Sequence, residues 1–165
     1  MSGGKYDGTY LVPTFVREVG LTEIIGKDDQ VDQNELSGTV DLTVAASGLV
    51  NGEIKGVILI TSETGTGAIL TPAGKLFFLD ADPNTSPGDA ALSLAELQTV
   101  LGIVDVAAGD WQSFPNGAIC AKTPGIPFHD LATIHAVWRH TDATSFNDAA
   151  GDDEAMHINV WYGKA

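Results

Sequence analysis

A chain of 165 residues fits one domain and is long enough to bury about two-thirds of its unfolded surface in a single core. Its formal net charge of −14, from 22 acidic and 8 basic residues, repels phosphate backbones and anionic bilayers, which argues against nucleic acid and membranes as partners. The single cysteine, Cys120, excludes an intramolecular disulfide and reads as a small buried hydrophobe.

The opening residues, Met1-Ser2-Gly3-Gly4-Lys5-Tyr6-Asp7, have no apolar stretch of the signal-peptide kind, so a product made without a cleaved leader is expected. Residues 10–25 are apolar but broken by Pro13 and Gly20, which suits an extended arm or edge strands better than a helix. We read residues 1–32 as an N-terminal arm and 33–165 as one β-rich domain. Such an arm would reach a neighbouring subunit through Tyr10, Val12, Phe15 and Val16; an edge strand of the same core is the plainer alternative.

Beyond a polar loop at 26–35, the next strand places Val40, Leu42 and Val44 on one face. Residues 53–62 form another, whose Val57-Ile58-Leu59-Ile60 centre is apolar on both sides and so belongs in the middle of a sheet. Turns at Gly65-Thr66-Gly67 and Pro72-Ala73-Gly74 bracket Ala68-Ile69-Leu70, and 75–79 returns, which makes 36–79 a four-strand meander. Ser93 and Glu96 stand at capping-box spacing ahead of Leu94, Leu97 and Leu101, predicting one short helix over about 93–101 that Gly102 ends. Residues 111–114 and 117–122 are strands, and 124–127 a loop. The last two strands, residues 133–140 and 156–162, alternate strictly. Paired as a hairpin, they put Ile134, Ala136, Trp138, Met156, Ile158, Val160 and Tyr162 on a core face. His135, Val137, Arg139, His157, Asn159 and Trp161 fall on the other, too polar for a core and too aromatic for plain surface. The fold class expected is all-β, an antiparallel β-sandwich or barrel-like domain.

Few patterns point to chemistry. Asp80, Asp82 and Asn84 match the first ligand positions of a calcium loop, but Thr85 and Ala91 stand where glycine and glutamate are required. Asp152, Asp153 and Glu154 are the other metal candidates, in a stretch read as a solvated acidic hairpin tip. The four histidines have no spacing that gathers them on one ion, and nucleophile and phosphate-loop motifs are absent. No catalytic residue and no cofactor is therefore assigned, and a binder or structural part is expected rather than an enzyme.

Residues 57–62 with 71–83, and the ending at 138–144, 151–154 and 156–162, resemble head decoration (cement) proteins of tailed phages, particularly marine siphophage types. The resemblance implies a non-enzymatic protein on the outer capsid surface of the virion, commonly a homotrimer at local threefold axes, whose partners are copies of itself and the major capsid protein. It carries over no individual residue. With the mixed face, it makes His135, Arg139, His157 and Trp161 the candidate subunit contact. The alternatives are a calcium-assisted glycan-binding sandwich, such as a virion adhesin, using the acidic loops with Trp111, Trp138 and Trp161, and a hydrolase built on paired carboxylates from residues 80–89 and 141–155.

Overall fold

Alternating apolar side chains become two antiparallel sheets that bury their matching faces against each other, as seen in a computed structural model describing residues 15–17, 21–44, 51–62, 69–148 and 151–163. The larger sheet has seven strands. β11 (Ala155–Gly163) and β4 (Asn51–Ser62) pair at its centre, β8 (Gly117–Lys122) and β7 (Gln112–Phe114) follow on one side, and β1 (Phe15–Arg17) and β2 (Thr22–Ile25) share the far edge of β11. β9 (Ile126–His129) pairs with the first residues of β4. The second sheet has four strands in the order β3 (Val40–Thr43), β10 (Thr133–His140), β5 (Gly74–Leu79), β6 (Val100–Val106). The all-β sandwich expected from the sequence is the fold observed.

The main core lies between the sheets. Trp138, Phe78, Leu76 and Leu42 face Tyr162, Ile158, Leu59 and Ile54 across it, all essentially inaccessible to solvent. Each such side chain contributes roughly 1.5–3 kcal/mol relative to exposure. Cys120 is buried among them, and burial pushes its thiol above the ordinary value. β4 is central, as its apolar run implied, but it is not regular. Trp161 pairs with Gly56 and Tyr162 with Ile54, so Lys55 is an extra residue, a bulge placed where β9 hands over to β8.

Four expectations are corrected. The last two strands do not form a hairpin: β10 lies in the four-stranded sheet between β3 and β5, and β11 in the seven-stranded sheet. Alternation fixes which side chains turn inward but not which strand is the neighbour. The residues between them, extended, would reach about 45 Å, far more than the ~10 Å between packed sheets. Nor is 36–79 a meander, because β3 and β5 belong to one sheet and β4 to the other, while Ile69 and Leu70 pack on the core without being a strand. The helix is one turn, α1 (Leu94–Leu97), with the predicted capping box in place. From Val100 the chain is strand, because Val104 and Val106 reach the core and Gly102 leaves room for Ile126, which any Cβ there would strike. Ile126 and Pro127, read as the end of a loop, open β9 (Ile126–His129).

The stretch read as an arm is, over its described residues, part of the body. β1 and β2 add to β11, and Ile24, Ile25 and Val31 are core. Tyr10 and Val12 lie outside the described residues; Phe15 and Val16 sit in β1, opposite Gly163 and Tyr162.

Gly74 shows how tightly the core is fitted. A Cβ at this position would run into the Trp138 ring and lie 2.5 Å from the Arg139 carbonyl oxygen. Gly74→Ala therefore overpacks the centre of the four-stranded sheet. A loss of about 1–3 kcal/mol is expected by urea unfolding, with the near-ultraviolet signal of tryptophan altered before unfolding begins.

Candidate functional site

Because β10 and β11 are in different sheets, the four side chains proposed as one contact divide into two pairs on opposite outer faces. His157 and Trp161 lie outside the seven-stranded sheet, His135 and Arg139 outside the four-stranded one. A single patch of all four does not exist.

The outer face of the seven-stranded sheet is apolar along a strip. Cross-strand pairing aligns Ile60 with Ile119 and Ile58 with Ala121, and Phe114 ends the strip at the β7 edge, 45 % exposed. At its other end is a groove of ≈ 330 Å³ lined by Lys55, Gly56, Ile58, Ala121, Lys122 and Trp161. The groove follows from the bulge: Trp161 lies over Gly56, where an added Cβ would meet its ring at 3.7 Å. Lys55 pairs with Glu53 at 2.7 Å and Lys122 with Asp110 at 2.6 Å, and the lysine holds the Asp110 carboxyl below its ordinary value. Beside the groove, Asn159 is buried with its Oδ1 lacking a donor, and His157 stands 3.7 Å from Glu23. Sequence reading found Trp161 but not the residues around it. The two-sided apolar run at Val57-Ile58-Leu59-Ile60 carried the signal, since a strand apolar on both sides in a two-layer fold must show one side outward.

The outer face of the four-stranded sheet is handled differently. Val137, assigned to the mixed face, is fully buried in a second small core with Leu36, Phe77 and Leu79, against which Leu92 and Val100 pack. His135 Nδ1 pairs with Asp41 at 2.7 Å.

Over its described residues, the acidic stretch before β11 is tied to the body rather than a freely solvated tip, although Asp148 is exposed. Phe146 is buried and exchanges backbone hydrogen bonds with Val31, and its ring meets His140 edge-on at 5.3 Å. Asn147, at φ 52°, does most of the tying. Its Nδ2 donates to the carbonyls of Gly26 (3.1 Å), Asp29 (3.0 Å) and Glu154 (3.0 Å), while its Oδ1 accepts from the Glu154 backbone N–H at 2.9 Å. Glu154 in turn accepts from the Asn147 N–H through Oε2. Asp82 likewise accepts from the Asn84 N–H at 2.7 Å, Asp89 from Ser86, and Asp142 from Thr144. Asp80 is exposed, and Asp152 and Asp153 are half-buried. Among the described residues no three His, Cys, Asp or Glu side chains come together as a metal cage. Trp111 and Trp138 are buried, Trp111 with its Nε1 donating to the Pro72 carbonyl, so the three tryptophans do not make a platform for sugar.

Two predictions follow from this clamp. Asn147→Ala leaves three carbonyls without their donor, and a loss of roughly 2–4 kcal/mol is expected by urea unfolding; Asn147→Asp, which turns an acceptor toward those carbonyls, should be at least as harmful. His140 is buried, donates Nε2–H to the Thr144 carbonyl at 2.6 Å, and has no partner at Nδ1. Burial lowers its pKa, outweighing the opposite pull of the Thr144 carbonyl, Asp142 and Asp32. In the unfolded chain the imidazole takes a proton near its ordinary value of about 6.5, before the folded form does. This contribution to stability is complete above that value and is lost as pH falls toward the lowered folded value. His140→Gln should flatten the fall in urea midpoint between neutral pH and about pH 5, relative to the parent protein.

No family model matches the chain, and no curated protein does. Among solved structures, a chain from the three-dimensional structure of Cocksfoot mottle virus is matched over 100% of this chain and 91% of that one, at 10% identity and a TM-score of 0.29. A superposition that loose carries no argument about this protein.

Proposed function

We propose that the protein is a virion structural component that decorates and stabilises the outside of a phage capsid as a homo-oligomer, a trimer, without catalysis. The resemblance of residues 57–62 with 71–83, and of 138–144, 151–154 and 156–162, to phage head decoration proteins motivates this reading. The observation that carries it is the apolar strip from Phe114 through Ile119 and Ile58 to the Trp161 groove, in a chain of net charge −14. Interfaces centre on aromatic and aliphatic side chains inside a charged rim, and here Lys55 and Lys122 form the rim. The rest of the acidic surface keeps particles that bear many copies from clumping. The major capsid protein is the second partner, and binding to the assembled shell stabilises it by mass action.

The test is a pair of measurements on one variant. Trp161 lies outside the main core, so Trp161→Ser should leave the urea midpoint little changed, while light scattering shows the oligomer dissociating at least tenfold more readily. The parent protein should also bind expanded heads and raise their resistance to heat. A monomeric parent at micromolar concentration that ignores expanded heads would sink the proposal.

A further inference from the structure

The strap of residues 80–99 that crosses the four-stranded sheet does not seal it. Between the strap and the sheet lies a pocket of ≈ 110 Å³ lined by Leu36, Phe77, Ala91, Leu92, Leu97 and Arg139. Taking ~30 Å³ per water, that is space for about four waters or one short branched aliphatic group. Five of the six walls are apolar. The sixth is one of only two arginines in a chain with 22 acidic residues.

Arg139 ought to be easy to neutralise in such a chain, yet none of the ion pairs among the described residues includes it. Its Nε is buried without an acceptor. The nearest cross-strand neighbour on that face is another cation, Lys75, whose own partner is Asp105. A guanidinium is always charged and presents a planar edge of N–H donors to a carboxylate. A buried donor left open is costly, and apolar walls that exclude water strengthen whatever charge pairs with it. Of the walls, Leu97 is 46 % exposed, so the side of the pocket that it forms is open to solvent and apolar.

We propose that this pocket binds a carboxylate carried on a short aliphatic group, with Arg139 holding the carboxylate and Leu36, Phe77 and Leu92 receiving the aliphatic part. The chemistry is shared by a free short-chain acid and by the C-terminal carboxylate of a peptide ending in an aliphatic residue. The site is independent of any role on a capsid.

The full-length protein is titrated with 3-methylbutanoate and, separately, with the uncharged 3-methylbutanamide, following the methyl resonances of Leu36, Leu92 and Leu97. The acid should shift them saturably, and the amide should bind at least about tenfold more weakly. Arg139→Gln should lose the preference for the acid. Leu97→Glu, at the exposed entrance, supplies a tethered carboxylate to Arg139 and should weaken the acid by competition, which provides a second variant if Arg139→Gln fails to fold. In a further arm, the tripeptide Gly-Gly-Leu with a free C-terminus binding more tightly than 3-methylbutanoate identifies a chain terminus as the natural source, and the reverse order identifies the free acid. Absence of any saturable shift at millimolar ligand, or equal binding of acid and amide, overturns the proposal.

Discussion

The sandwich depends on one carboxamide. After β10 the chain must leave one sheet and enter the centre of the other, and Asn147 is where that crossing is held. Three carbonyls from two separate segments converge on a single NH₂ group, and a backbone N–H completes the set through the amide oxygen. Asparagine suits the position twice over: it supplies both donor and acceptor, and it tolerates the positive φ that the turn requires. With Phe146 seated against Val31 and His140 bonded to Thr144, the crossing behaves as part of the core although much of it has no regular structure.

The two outer faces answer one problem in different ways. A sheet in a two-layer fold has one face inward, and apolar side chains on its other face need cover. The four-stranded sheet is covered in part by its own chain: the 80–99 strap packs Leu92 on the small core that includes Val137 and Phe77, and it is fastened where the Leu36 N–H donates to the Asp89 carbonyl and the Gly88 N–H donates to the Leu36 carbonyl. The seven-stranded sheet keeps Ile58, Ile60 and Ile119 partly open along a strip that ends in the Trp161 groove. The first face therefore has a small opening beside Arg139, and the second a long shallow one. Their chemistry differs accordingly: one presents an arginine without an acidic partner, the other a tryptophan and aliphatics edged by lysines that already have carboxylates.

Burial was legible in the sequence where neighbourhood was not. Ile134, Ala136, Trp138, Met156, Ile158, Val160 and Tyr162 all turn inward as their alternation required, since strand geometry alone decides that. Which strand each would pair with is a question of distant segments, and two strands with the same inward face are interchangeable in a linear reading. That ambiguity produced a hairpin where there is a crossing, and one mixed face where there are two unrelated ones. Val137 shows the limit clearly: its strand position marked it as outward, and it is outward from the main core, yet the strap buries it. The Ser93–Glu96 cap was readable because its chemistry is local, whereas the end of the helix was not, because Val104 and Val106 draw the chain into the sheet. The Trp161 site was half legible: its residue was visible, its companions came from β4 and β8.

The bulge at Lys55 separates two things that usually change together in a sheet. Counting inward positions along β4 gives Ile54, then Val57, Leu59 and Thr61. Omitting Lys55 would make the spacing uniform and send the same four side chains to the same interior. The interior is thus indifferent to the extra residue. What depends on it is the seat of Trp161 over Gly56 and the point at which β9 gives way to β8. One residue of chain length thereby acts as an adjustment of the outer surface alone, and related chains could gain or lose this groove by a single-codon insertion or deletion without redesigning their cores.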